Sequence, residues 1–86
     1  MRSKGTRGSA HALADAVRQR RKTLGVTQIE LAQLAGCGPV FIYDLESAKT
    51  TLRLDKLLDV LEVLGLELVV RAGKARLRVD PSERES

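Results

Sequence analysis

The chain has 86 residues, 43% hydrophobic but only 2% aromatic, so aliphatic side chains must fill the core of one small, marginally stable domain. One Cys, one His and scattered carboxylates exclude an internal disulfide and argue against a zinc site or a catalytic constellation, so we expect no metal, no cofactor and no enzymatic activity. Without a signal-peptide pattern or an apolar run of about 18 residues, we expect a soluble, cytoplasmic protein that does not enter membranes.

Charge is distributed unevenly along the chain. Residues 1–26 hold seven bases and one acid, residues 27–64 hold three bases and six acids, and the remainder is nearly balanced, for a formal net charge of +4. A basic end is compatible with DNA as a partner, and equally with an ordinary solvated face. Residues 1–8 have no apolar periodicity, which predicts a flexible basic arm.

The helical domain predicted at residues 9–65 begins with two helices. The first is predicted over residues 10–24, with Ser9 as its cap and Gly25 as its stop. The second, over residues 28–35, begins with a capping box, in which a threonine is followed by a glutamate three residues later. The side chains that we expect these two helices to bury are Leu13, Val17, Leu24, Ile29, Leu31, Ala32 and Ala35.

Two further helices follow a break in the apolar pattern. Gly36 occupies the position of a helix-terminating glycine with positive φ, and Pro39 suits the first turn of a new helix over residues 39–47. A fourth helix is predicted over residues 54–64 and ends at Gly65. The side chains that we expect to be buried here are Ile42, Leu45, Leu54, Leu57, Leu58, Leu61 and Leu64.

After the helices the period changes to an alternation typical of strands. Residues 66–71 alternate, and residues 74–79 alternate again, so that Ala72-Gly73 can turn the two into a hairpin, although a second strand is left open. An unpaired strand is unstable in water, which favours pairing with the same strand in a second copy. We therefore expect a homodimer and a disordered tail at residues 80–86. The predicted dimer interface is Leu66, Leu68, Val69 and Val70.

Two short helices joined by a glycine turn are typical of a helix-turn-helix, whose second helix enters the major groove of DNA. The stretch "TQIELAQLAGCGPVFIYDLESAKTTLRLDKLLDVLEVLGLEL" resembles the Xre and phage Cro/repressor domains, over about residues 13–71. Within that group, "DLESAKTT", "LLDVLEVLGLEL" and the following apolar strand are most similar to HipB-like antitoxins. The fold implied is mostly α, a lambda-repressor-like domain of four or five helices followed by a C-terminal strand or hairpin that pairs in a dimer.

The resemblance also implies roles for particular residues. Gln28 matches a glutamine that binds a phosphate and braces the recognition helix, although it is also a good first-turn residue. Arg21 and Glu46 match an ion pair that ties the first helix to the third. Positions 38–44 match those that face bases, and residues 49–53 match a stretch that grips phosphates. The positions assigned to DNA contact are Thr27, Gln28, Gly38, Pro39, Val40, Phe41, Tyr43, Asp44, Lys49, Thr50 and Arg53.

The reading positions depart from the family, where Ser, Gln, Arg or Asn are common. Val40 and its neighbours can contact thymine methyl groups, Tyr43 can make one hydrogen bond and Asp44 could accept from cytosine. Selectivity can also come from DNA shape or the basic arm. Core packing of Phe41 and simple exposure of Asp44 are the alternatives.

Three functional hypotheses follow from the sequence. The first is a dimeric repressor that binds double-stranded operator DNA and is the antitoxin of a HipA-like Ser/Thr kinase, an assignment that the resemblance implies. The second is a stand-alone Xre-type regulator. The third is a protein-interaction module that inhibits an enzyme without binding DNA.

Overall fold

A computed structural model describes residues 2–80, with side chains from residue 8 onward. The helices are α1 (Arg2–Thr23), α2 (Gln28–Ala35), α3 (Pro39–Glu46) and α4 (Leu54–Val63). α2 packs against α3 and α4, and α1 packs against α3. The mostly α fold is therefore confirmed. No helix between residues 2 and 80 combines the length and the apolar character that crossing a bilayer requires.

One apolar core joins the four helices. α4 contributes residues at the i, i+3, i+4, i+7 spacing of a single helical face, and Val60 completes this face although the predicted leucine stripe omitted it. Leu54 and Leu58 lie beside that face and are exposed, as are Leu24 and Ile29, because no described element covers them. The core residues are Val17, Leu31, Ala32, Ile42, Leu45, Leu57, Val60, Leu61 and Leu64.

All four helices end in the same hydrogen-bonded turn, with one residue in the left-handed region. Gly25, Gly36 and Gly65 occupy this position after α1, α2 and α4, each with φ of 71° or 72°. After α3 the position is held by Ala48, whose φ is 64°. A Cβ in this region approaches the following carbonyl oxygen, so Ala48 is strained where the glycines are not.

The N-terminal end differs from the prediction. α1 begins at Arg2, whereas the sequence predicts a flexible arm over residues 1–8 and a cap at Ser9. Once a helix is nucleated, each added residue gains a hydrogen bond, and residues 2–8 contain no proline to stop the propagation. Met1 lies outside the described residues.

The C-terminal end also differs. Between residues 2 and 80 there is no strand, so the predicted hairpin of residues 66–79 does not form within one chain. The physical reason is that an isolated two-stranded hairpin is at best marginally stable in water, and the helical domain offers no sheet edge to support it. Most of the predicted tail, residues 81–86, lies outside the described part of the chain.

Candidate nucleic-acid interface

The start of α2 is fixed by a reciprocal pair of hydrogen bonds. The Glu30 backbone N–H donates to Thr27 Oγ1 at 3.0 Å, and the Thr27 N–H donates to Glu30 Oε1 at 2.9 Å. This is the predicted capping box, and it satisfies two backbone donors that the helix itself cannot. Thr27 is thus occupied in holding α2, and its side chain lies at an exposed helix end.

The break between α2 and α3 is a tight turn. Gly36 has φ 72° and ψ 31°, and the Cys37 N–H donates back to the Ala32 carbonyl at 3.0 Å. Gly38 then adopts an extended conformation, and Pro39 opens α3 as predicted. Because α2 and α3 pack against each other, they cannot be collinear, and the glycine turn redirects the chain.

A buried carboxylate holds the far end of α3. Glu46 is only 6% exposed, and its side chain accepts from Arg21 Nε at 2.7 Å and Arg21 Nη2 at 3.0 Å. A third bond comes from Gln28 Nε2 at 3.1 Å. The Arg21 guanidinium also donates to the Val26 carbonyl at 3.0 Å, and Arg18 donates to the Glu46 carbonyl at 2.9 Å. These contacts join α1 and α2 to the last residue of α3.

The charges of Arg21 and Glu46 stabilise each other. The hydrogen bonds to Glu46 raise the pKa of Arg21, because they favour the charged guanidinium more than its partial burial opposes it. Among the described residues, no buried side-chain nitrogen or oxygen lacks a hydrogen-bond partner. Removing either member of such a pair leaves a buried charge uncompensated, which is the costly event.

The opposite end of α3 is open to solvent. Gly38 and Pro39 are exposed, Val40 is 65% exposed and Tyr43 is 41% exposed. Phe41 is partly buried and packs against the core, as its alternative interpretation has it. The outward side of the first turn therefore presents an apolar surface with one phenol hydroxyl beside it.

Two ion pairs flank this surface on the side of the α3–α4 connector. Lys49 Nζ lies 3.4 Å from Asp44 Oδ2, and the Arg53 guanidinium makes bonds of 3.1 Å and 2.6 Å to the Asp55 carboxylate. All four side chains are more than a third exposed, so solvent screens both pairs and neither contributes much to stability. Thr50, between them, is exposed as well.

The Arg53–Asp55 ion pair shifts the pKa of both residues. Its hydrogen bonds raise the pKa of Arg53 and lower the pKa of Asp55, which also accepts a bond from the Lys56 backbone N–H at 2.8 Å. Both side chains therefore stay charged at neutral pH. A phosphate that binds Arg53 must compete with the Asp55 carboxylate.

The predicted dimer residues lie apart from this interface, in the segment after α4. Leu66 is half-buried and packs against the core, whereas Leu68 and Val69 are exposed and Val70 is 94% exposed. Single exposed apolar residues are common on protein surfaces, but three in succession form a contiguous apolar patch of the kind that marks an interaction site. In the single chain nothing described covers them.

Three contributors were not anticipated from the sequence. Arg18 supports the carbonyl of Glu46, Arg20 Nε donates to the Leu64 carbonyl at 2.8 Å, and Asp55 engages Arg53. The run of bases at residues 18–22 was a signal for the first two. The sequence shows this run only as positive charge, since the acceptors lie 28 and 44 residues away in sequence.

Comparison with known proteins identifies the same part of the chain. A sequence model described as helix-turn-helix matches residues 17–70, well over half of the chain. The chain is also 45% identical over 60 residues to a protein of Sinorhizobium fredii (strain NBRC 101917 / NGR234) named "Uncharacterized HTH-type transcriptional regulator y4mF". That match covers 70% of this chain and 79% of the relative. The matched residues include α2, α3 and α4.

Proposed function

The chain belongs to the helix-turn-helix family, and we therefore propose that it regulates transcription by placing the first turn of α3 in the major groove of duplex DNA. The observation that carries this proposal is the contrast along α3. Its last residue is held by Arg21 and Gln28, while Val40 at its start is exposed. A helix that reads bases needs this rigid support, because contacts to base edges tolerate only small displacements.

The proposed readout combines apolar and electrostatic contacts. Val40 and Pro39 contact thymine methyl groups, and Tyr43 supplies a hydrogen bond to a base or a phosphate. Thr27, Gln28, Lys49, Thr50 and Arg53 approach the phosphates on either side and set the register of α3. Asp44 adds direct readout only where its bond to Lys49 opens, so DNA shape carries part of the selectivity.

The regulator acts as a homodimer in this proposal. Leu68, Val69 and Val70 are exposed in the single chain and would be covered if residues 66–70 paired with the same residues of a second copy. Two α3 helices would then face half-sites about one helical turn apart, 10–10.5 bp between centres. Occupation of such a site in a promoter excludes polymerase and makes the protein a repressor.

The finer assignment that we propose is an antitoxin that represses its own operon and binds a HipA-like Ser/Thr kinase. Its support is the similarity of "DLESAKTT" and "LLDVLEVLGLEL" to HipB-like antitoxins. Purification together with a HipA-like kinase encoded beside this gene would support it. A neighbouring kinase that neither co-purifies nor is inhibited would contradict it.

A stand-alone regulator is the second candidate, and the name of the Sinorhizobium fredii relative favours it, since that name states transcriptional regulation and no toxin. Both candidates bind DNA, and they differ in whether the protein also binds a kinase. An operon without a kinase gene would decide for the stand-alone regulator.

DNA binding itself is tested by titrating the promoter region of the gene at several salt concentrations. Each phosphate neutralised contributes about −0.9 to the slope of log K against log salt, so a dimer with several phosphate contacts gives a steep slope. A footprint with two protected centres one turn apart is expected. Absence of binding to any upstream DNA at low salt would overturn the proposal and leave the protein-interaction module.

A further inference from the structure

Arg20 connects α1 to the end of α4. Its Nε donates to the carbonyl of Leu64 at 2.8 Å, where the helix leaves carbonyl groups unpaired and its dipole favours a cation. The next residue, Gly65, has φ 71°, and a Cβ placed there would lie 3.2 Å from Arg20 Nη2. The guanidinium therefore covers the point at which the chain leaves the helical domain.

Two neighbouring arginines in the same turn of α1 contact the C-terminal end of α3. Arg18 donates to the Glu46 carbonyl, and Arg21 binds the Glu46 carboxylate. One turn of α1 thus contacts the last residue of α3 and the residue that follows α4. The same turn of α1 therefore holds both α3 and the start of the C-terminal segment.

The exit direction is decided within a few residues. The Gly65 N–H donates to the Glu62 carbonyl at 3.0 Å, and the Leu66 N–H donates to the Leu61 carbonyl at 2.8 Å. Residues 67–80 form no helix or strand, and Leu68, Val69 and Val70 are exposed. The direction in which this segment leaves the helical domain is therefore set at residues 64–66, where Arg20 makes its contact.

We infer that Arg20 is a positioning residue that fixes the direction of residues 66–70 relative to α3, and so sets the half-site spacing that the dimer accepts. This inference rests on the proposed function, because it needs a dimer that reads two half-sites. In such a dimer the distance between the two α3 helices depends on the angle between α3 and the pairing segment. A loosened exit tolerates several distances, whereas a fixed exit accepts one.

The test compares the full-length wild-type chain with Arg20→Gln and the control Arg20→Lys on DNA duplexes whose half-site centres differ in steps of one base pair. The half-sites come from the footprint on the promoter. Wild type is expected to bind the best spacing roughly tenfold or more tightly than spacings one base pair away, since a rigid dimer matches one helical turn. Arg20→Gln should flatten that preference to about twofold or less, while Arg20→Lys, which keeps a cation at the carbonyl, retains most of it.

A purely structural role for Arg20 predicts something else, namely a lower melting temperature with an unchanged spacing preference. Gly65→Ala provides a second variant that disturbs the same contact from the other side and leaves all three arginines in place. It should flatten the preference as well, while affinity for a single half-site stays within about twofold of wild type because α3 and its support are intact.

The outcomes separate the two proposals. If wild type has a sharp spacing optimum and both variants keep it, the role of Arg20 is overturned and the proposed function stands. If wild type binds DNA without any spacing optimum, the dimeric reading of two half-sites fails, and the role of Arg20 fails with it.

Discussion

The two ends of α3 contrast in burial, charge and bonding. At the last residue, Glu46 is buried and receives three side-chain hydrogen bonds from α1 and α2. At the first turn, Gly38 offers no side chain to cap the helix, and Val40 is exposed. At these two positions the buried residue is charged and the exposed residue is apolar, which reverses the usual distribution, while Ile42 and Leu45 between them pack in the apolar core.

This reversal shows how a short helix can be held in place at one end and still present its other end for binding. An eight-residue helix is too short to be stable alone, so its position must come from tertiary contacts. A buried bidentate ion pair supplies orientation as well as energy, because the guanidinium and carboxylate planes must match. The free end then needs no structural contacts and can be used for recognition.

The largest expected effect is at the fixed end. Glu46→Ala should lower the free energy of unfolding by about 3–5 kcal/mol, because it leaves the Arg21 guanidinium buried without its carboxylate. Thermal unfolding followed by circular dichroism measures this loss. Asp44→Ala, which removes a partly exposed acid of the same helix, is the matched control and should change stability by less than about 1 kcal/mol. Equal melting temperatures for the two variants would show that the buried Glu46 carboxylate contributes no more to stability than the Asp44 carboxylate.

A gain in stability is expected just beyond the fixed end. Ala48→Gly removes the Cβ of a residue with φ 64°, and the relief exceeds the added flexibility of the unfolded chain. The net stabilisation should be about 0.5–1 kcal/mol, measured by urea denaturation. Ala16→Gly, in the middle of α1, is the control and should destabilise by about 0.5–1 kcal/mol. If both changes destabilise, Ala48 is not strained.

At the free end, the apolar surface predicts dependence on thymine methyl groups. Replacing thymine by uracil at the protected positions should weaken binding about three- to fourfold per methyl contacted, near the 0.8 kcal/mol of one buried methylene. Val40→Ala should bind the two DNAs with more similar affinity, because the partner of the methyl group is gone. Filter binding or fluorescence anisotropy measures the four combinations. Equal losses for wild type and variant would assign the effect to DNA shape.

The smallest expected effect concerns the flanking ion pair. Because Arg53 lowers the pKa of Asp55, the carboxylate remains charged at pH 7 and competes with phosphate. Asp55→Asn should tighten DNA binding about two- to fivefold and steepen the salt slope by up to about 0.9. Asp59→Asn, which removes an exposed charge from the same helix away from Arg53, is the control. An affinity that falls in Asp55→Asn would show that Asp55 orients Arg53 rather than opposing its use.

The sign of the pH dependence of this pair follows from the lowered pKa. A carboxyl group whose pKa is depressed by folding contributes stability above its unfolded pKa and loses that contribution as the pH falls through its folded value. The Arg53–Asp55 pair is therefore intact over the whole neutral range and breaks only below the ordinary pKa of 3.8. Competition with phosphate is thus constant in the assays above.

Local signals determined much of this protein from the sequence alone. The capping box at Thr27, the turn at Gly36 and the start of α3 at Pro39 were predicted and are present, since each depends on the backbone needs of neighbouring residues. The pairing of Arg21 with Glu46, which the family resemblance implied, is present as well. The apolar period also identified Ile42 as core.

Only the tertiary structure decided the contacts that join distant residues. That Arg18 and Arg20 support two different helix ends depends on how α1 lies against α3 and beside the residue that follows α4, and no local pattern encodes an acceptor 28 or 44 residues away. Likewise, Leu58 is exposed and Val60 buried because packing selects one face of a wide apolar stripe. In the same way, residues 66–79 alternate as strands do and yet form no hairpin in the single chain, since a lone hairpin is at best marginally stable without a further sheet edge, which the helices do not supply.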